Sequence, residues 1–238
     1  MRALADLRVK IFADGADRNE MLALAQNPLV KGFTTNPTLM RKAGVVDYTK
    51  FADEVLRSIT TRPVSFEVFS DDFDEMERQA RAIAGWGSNV YVKIPITNTR
   101  GESAQNLVHR LSDAGVKVNV TAVLTLDQVE GISRCFADGV PGYVSVFAGR
   151  IADTGRDPLP IMVAALERLA SRPRVELIWA SPRELLNVFH ADQIGCHIIT
   201  VTADILKKLR LVGKNLDQYS LETVKMFYED ARSAGYSL

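Results

Sequence analysis

Val90-Tyr91-Val92-Lys93-Ile94-Pro95 is a run of β-branched and aromatic residues stopped by proline, with one lysine in its middle. Such a run reads as a short buried strand. A charged side chain is rarely buried alone, yet no carboxylate lies within several residues of this lysine. Lys93 can lay its stem along an apolar surface and keep its ammonium in water. Alternatively, burial keeps it neutral and free to attack a carbonyl and form a Schiff base. The stretch alone leaves both readings open.

On either side of it, similar short runs recur. Three precede it, at Lys10–Asp14 (KIFAD), 30–36 (VKGFTTN) and 63–69 (PVSFEVF). Four follow, at 116–124 (VKVNVTAVL), 143–151 (YVSVFAGRI), 175–181 (VELIWAS) and 196–202 (CHIITVT). Between them the pattern predicts helices over 17–25, 48–59, 103–114, 126–137, 158–171 and 183–190. Ser70 is a candidate cap for a helix whose first turn is acidic at Asp71, Asp72 and Asp74, the end of the dipole that favours negative charge. That capping role accounts for the three aspartates without a divalent metal.

Eight strands alternating with helices predict an α/β chain of the (β/α)8 TIM-barrel kind. One domain over residues 1–238 is expected, because barrels reach 238 residues undivided. An open doubly wound sheet would carry a glycine fingerprint after its first strand, and the only GxG, Gly85 to Gly87, precedes a strand instead. Residues 216–238 read as a helical extension at 216–219 and 221–234, with apolar Leu221, Val224, Met226, Phe227 and Ala231. This face suits covering the barrel or a neighbouring subunit.

Composition narrows the partners. Lysine plus arginine balances aspartate plus glutamate at 29 each, so no net field recruits nucleic acid or an anionic membrane. Cys135 and Cys196 form no CxxC pattern, and His109, His190 and His197 lack ligand spacing, so no metal site is expected. The start, Met1 to Asp6, lacks the apolar run of a signal peptide, and no window approaches a membrane span; a cytoplasmic protein is expected.

Barrel chemistry occurs at the C-terminal ends of strands. Those ends supply Asp14, then Thr34, Thr35 and Asn36, then Glu67. Asn119 and Thr121 share one face of their strand, as do Ser145 and Phe147 of theirs, with Arg150 just beyond; Ser181 and Arg183 close the seventh. Each has an ordinary role open to it: Asp14 and Asn36 as caps or turn formers, Arg150 pairing with Asp153 on the surface, Arg183 with Glu184 or a neighbour. Together they place polar groups where an apolar interior belongs, beside a lone lysine. A neutral lysine gives an iminium that acts as electron sink for breaking or making a carbon–carbon bond. Asp14 and Glu67 can move protons, Thr121 can position a water, Asn36 and Asn119 can bond sugar hydroxyls, and two arginines around Ser181 suit a phosphate. A phosphorylated ketose and aldose pair is implied, with no organic cofactor.

The motifs TTNPT (34–38), VKIP (92–95), NVT (119–121) and FAGRI (147–151) make the chain resemble the transaldolase family in its short single-domain form. The resemblance runs from about Lys10 to Leu206 and implies a class I aldolase barrel with Lys93 as its Schiff-base lysine. It also implies Asp14 as the acid/base of carbon–carbon cleavage, Glu67 and Thr121 around a water, and Asn36, Asn119 and Ser145 at the dihydroxyacetone unit, with Thr35 and Phe147 also substrate-binding. Arg150, Ser181 and Arg183 would take the phosphate. The implied reaction transfers a dihydroxyacetone unit from sedoheptulose 7-phosphate or fructose 6-phosphate to an aldose phosphate, in a homo-oligomer. The fructose-6-phosphate aldolases, a similar branch, release free dihydroxyacetone and tend to carry glutamine and tyrosine where this chain has Glu67 and Phe147. Phenylalanine cannot help protonate the enamine, so transfer is expected over release. Phe33, the loop Asn98-Thr99-Arg100-Gly101, Trp179 and Pro182 depart from the family pattern and are expected near the mouth, where they would admit an unusual sugar or a sulfonate. A barrel that binds sugar phosphates without turnover is the reading outside catalysis.

Overall fold

Eight parallel strands pair in sequence order, and the last closes onto the first to complete a barrel. The computed structural model describes residues 4–237, so Met1 to Ala3 of the leading segment and Leu238 of the C-terminal extension lie outside the described residues. The first half comprises β1 (Lys10–Asp14), α1 (Arg18–Leu24), β2 (Val30–Thr34), α2 (Pro37–Lys42), α3 (Tyr48–Ser58), β3 (Val64–Glu67), α4 (Phe73–Ala84) and β4 (Val90–Pro95). Then come α5 (Gln105–Asp113), β5 (Val118–Val123), α6 (Leu126–Ser133), β6 (Gly142–Val146), α7 (Ala148–Ala152) and α8 (Leu159–Leu169). The last unit is β7 (Val175–Trp179), α9 (Leu186–Gln193), β8 (Ile198–Thr202) and α10 (Ala203–Lys208), followed by α11 (Leu216–Ser233).

Alternation along each strand divides the side chains between two cores. Outward residues such as Phe33, Phe66, Val92, Ile94, Val118, Val120, Val144 and Trp179 pack under the helices in one continuous apolar layer. Inward, Phe12, Tyr91, Tyr143, Ile178 and Ile198 fill the lower barrel. The Tyr91 and Tyr143 rings stack with centroids 4.0 Å apart, and Phe12 meets Tyr143 edge-on at 5.9 Å. Gly32 is required by this plug: a Cβ there would stand 2.6 Å from the Phe12 ring, so Phe12 occupies the space that β2 would otherwise fill. Above the plug the interior turns polar, with Thr34, Ser65, Lys93, Asn119, Ser145 and Thr200 all buried. This change from aromatic floor to polar upper layer is what creates a reactive chamber at the C-terminal end.

Several expectations are corrected. The sixth strand stops at Val146, and Ala148–Ala152 is a short helix, so Arg150 stands on α7. Asp72, not Ser70, caps α4 by accepting from the backbone N–H groups of Asp74 and Glu75, while Ser70 Oγ accepts from Asp72 N. Asp71 is occupied as well, bonded by the backbone and hydroxyl of Thr99 and paired with Arg100. Phe33 and Trp179 lie in the layer between barrel and helices rather than at the mouth. The segments 216–219 and 221–234 form one continuous helix, α11, and none of its residues is buried against the barrel. No helix among the described residues is long and apolar enough to cross a membrane.

Candidate active site

A cavity of about 570 Å³ opens at the C-terminal ends of the strands, with Lys93 in its wall. A second hollow of about 560 Å³, between α9 and the start of α11, is lined by Leu185, Leu186, Phe189 and Leu216 among others. Its lining is mostly apolar, whereas the mouth gathers the groups able to do chemistry.

Lys93 is 5 % exposed. Its Nζ donates to the carbonyl of Thr35 at 2.7 Å and stands 2.9 Å from Glu67 Oε2. The partner that the local sequence lacks therefore comes from the neighbouring strand, where Glu67 is the register mate of Lys93. A buried ammonium with a carboxylate and a carbonyl around it is compensated rather than stranded. The same carboxylate is in place to take a proton from Nζ.

Asp14 ends β1 on the inner face and accepts a 2.7 Å hydrogen bond from Thr34 Oγ1, which also meets Thr200 Oγ1 at 2.5 Å. Removal of water around it pushes its carboxyl above the usual range; the charge of Lys93 and the Thr34 hydrogen bond pull it back only in part. Asp14 is thus held where a carboxyl can keep or return a proton.

Ser145 Oγ donates to Asn119 Oδ1 at 2.7 Å, and Asn119 Nδ2 donates to Ser65 Oγ at 3.1 Å. This chain fixes the polar layer across β3, β5 and β6. Ser145 lines the cavity, while Asn119 lies behind it. Thr35 also lies behind the wall, its hydroxyl donating to Ser65 O at 2.8 Å and its carbonyl holding Lys93. Asn36 lines the mouth and caps α2, accepting from Leu39 N at 2.9 Å, so its cap and its place in the wall coexist. Thr121 Oγ1 is buried with no hydrogen-bond partner among the described residues. It precedes Ala122, whose φ of 59° lies in the left-handed region where the β5–β6 register shifts. Backbone strain of this kind collects at functional positions.

Opposite α2, Phe147, Arg150, Ser181 and Arg183 form the far wall. The Arg150 guanidinium stands 5.7 Å from the centre of the Phe147 ring. Arg183 pairs with Asp153, not Glu184: Nε donates to Oδ1 at 2.8 Å and Nη2 to Oδ2, while Nη1 donates to Ser181 Oγ at 3.0 Å and Ser181 O at 3.1 Å. Asp153 is held below the usual carboxylate range by that hydrogen bond. Ser181 itself has φ of 60°, and a Cβ on Gly149 would meet its carbonyl oxygen at 1.5 Å. Only glycine lets α7 approach this turn so closely. Gly149→Ala is expected to cost about 3 kcal/mol through forced displacement of backbone, measured by urea denaturation against the unchanged chain.

Two further residues line the mouth beyond those read from the strand ends: Thr200, whose hydroxyl bonds Thr34, and Lys42, the last residue of α2. Thr200 was legible as an inward residue of the eighth strand; Lys42 follows only from where α2 lies. The loop 98–101, expected near the mouth, is absent from the cavity lining and ties instead to Asp71 and Glu102.

The barrel fold, together with similarity to known proteins, makes this an enzyme of the aldolase and transaldolase kind. The chain belongs to the Transaldolase/Fructose-6-phosphate aldolase family, whose model matches residues 11–238. It is 35% identical over 206 residues to "Probable transaldolase 2" of Listeria monocytogenes, covering 84% of this chain and 88% of that one. It is 34% identical over 231 residues to "Probable transaldolase" of a Thermoanaerobacter species, covering 97% and 100%. A crystal structure of a Burkholderia cenocepacia protein matches at TM-score 0.60 and 14% identity, covering 96% of this chain and 84% of that one, a likeness of fold alone.

Proposed function

We propose that the protein is a transaldolase that moves a dihydroxyacetone unit from a ketose phosphate, sedoheptulose 7-phosphate or fructose 6-phosphate, to an aldose phosphate. The observation that carries this reading is the buried Lys93 flanked by the Glu67 carboxylate at the cavity wall. Glu67 takes a proton from Nζ, and the amine attacks the ketose carbonyl; loss of water gives the iminium. Asp14 accepts the proton of the hydroxyl on C4 as the C3–C4 bond breaks, the electron pair passing into the iminium to leave an enamine. The first aldehyde departs and the acceptor aldehyde enters; the enamine carbon attacks its carbonyl, forming the new C–C bond and regenerating the iminium as Asp14 returns the proton to the new hydroxyl, and water held at Thr121 adds to the iminium to free the new ketose and Lys93. Asn36 and Ser145, backed by Asn119 and Thr35, hold the three-carbon unit, and Arg150 with Ser181 and Arg183 takes the anionic end.

Transfer rather than release is supported by Phe147, which presents an apolar ring at the far wall and has no proton to give the enamine. Phe147→Tyr is expected to raise free dihydroxyacetone relative to transfer by about 10²-fold, the low end of what one added acid supplies. Enzymatic assay of dihydroxyacetone from fructose 6-phosphate, with and without an acceptor aldehyde, reads the ratio; an unchanged ratio removes the reason for preferring transfer. The reading needs neither a metal nor an organic cofactor. It places the chain in the cytoplasm, which suits two buried, unpaired cysteines. It also has the chain as a homo-oligomer, supported by the exposed apolar Leu221, Val224, Phe227 and Tyr228 of α11.

A further inference from the structure

Arg183 is not free to grip a ligand with both edges. A guanidinium has five N–H donors. Nε and one donor of Nη2 go to the two oxygens of Asp153, and Nη1 bonds both the hydroxyl and the carbonyl of Ser181. One donor remains, so a bidentate anion must displace Asp153 or Ser181. Ser181 is tied in place by its left-handed backbone and by the close approach of Gly149. Asp153 is the replaceable partner: its side chain is 52% exposed and that of Arg183 45%, so water can stand in for either during exchange. Arg150, on the short helix that Asp153 closes, makes no ion pair among the described residues, and its charge acts on Asp153 only as a smaller addition to the Arg183 pair.

We propose that Asp153 is a positioning residue for the anionic end of the substrate: its carboxylate holds Arg183 until the substrate arrives, and the incoming anionic group takes its place. The proposal rests on the reading of Arg150, Ser181 and Arg183 as the anion-binding wall. The two arginines are then unequal. Arg150 supplies standing charge, and Arg183 supplies a fork that is oriented in advance but opposed by its own carboxylate. Asp153 thereby weakens anion binding, and it re-forms its pair with Arg183 as product leaves.

The test is calorimetric titration with inorganic phosphate, which requires no turnover. Asp153→Asn keeps the shape but exchanges two charge-assisted acceptors for one neutral acceptor, so the dissociation constant for phosphate is expected to fall about fivefold, the scale of an exposed ion pair. Asp153→Glu, which keeps the carboxylate, returns it toward the original value. In an Arg183→Ala background the Asn substitution changes phosphate affinity little, because the effect passes through Arg183. A carboxylate that only braced the turn predicts the opposite sign: loosening Arg183 would weaken phosphate. Unchanged or weaker binding by Asp153→Asn, with the melting temperature preserved, overturns the exchange. If Asp153→Asn does not fold, Asp153→Ser gives the same sign test. Should Arg150→Ala leave phosphate affinity unaltered, the anion-binding wall itself is misplaced and both readings fall; a loss there with no gain in Asp153→Asn sinks the exchange alone.

Discussion

Lys93→Arg is expected to abolish turnover, with a fall in kcat on the order of 10⁴-fold or more, as for loss of a covalent nucleophile. Arginine keeps the positive charge and can still face Glu67 and the Thr35 carbonyl, so the fold has its buried ion pair. A guanidinium is always protonated and cannot form an imine. The variant therefore separates charge from nucleophilicity at one position. Circular dichroism and thermal melting establish that the barrel is intact, and a coupled assay for the aldose phosphate reads activity. Turnover within tenfold of the unchanged enzyme would mean that Lys93 acts only as a cation.

The second large effect falls on Asp14. Asp14→Asn is expected to lower kcat by about 10²–10⁴-fold, the usual contribution of a positioned acid–base group, because an amide cannot take the hydroxyl proton as the carbon–carbon bond breaks. The same variant is expected to be the more stable protein near neutral pH. Burial raises the folded carboxyl above its unfolded value. Such a group costs nothing at low pH, where both states are protonated. Stability is lost as pH climbs from the unfolded value through the raised folded one, because the unfolded chain ionises first. The Asn variant lacks this loss, so its advantage in melting temperature should open across that window and then level off. Reduced activity coupled to gained stability is the mark of a strained functional group; an Asp14→Asn protein less stable at pH 7 would show that the carboxylate supports the fold instead.

Much of this architecture was legible in the chain because strand periodicity and strand-end punctuation point the same way. KIFAD matches β1 residue for residue, and the lysine strand matches β4. Boundaries failed where a turn continues an alternating pattern. FAGRI after Val146 has the spacing of a strand, yet Phe147 leaves extended geometry and Ala148–Ala152 is helical, and no local signal marks the change. At the site, Thr121 and Ser145 line the cavity from their strands and Phe147 from the start of α7, while Asn119, read on the face of Thr121, lies behind Ser145. What the sequence could not show is who meets whom. Glu67 lies 26 positions before Lys93 and joins it only through strand register. Asp153 and Arg183, 30 apart, meet because α7 and the turn after β7 pack across a glycine. Phe33 and Trp179 are expected near the mouth as departures from the family pattern, but the pleat turns both outward under the helices.

Whether Lys93 forms a covalent imine on which the bound sugar is cleaved is read by incubation with fructose 6-phosphate alone, reduction with borohydride, and peptide mass mapping. A three-carbon adduct on the peptide bearing Lys93 is the expected result, since Phe147 leaves the enamine waiting for an acceptor. No adduct on Lys93, or an adduct on another lysine only, would contradict the account and return Lys93 to the role of a buried structural cation.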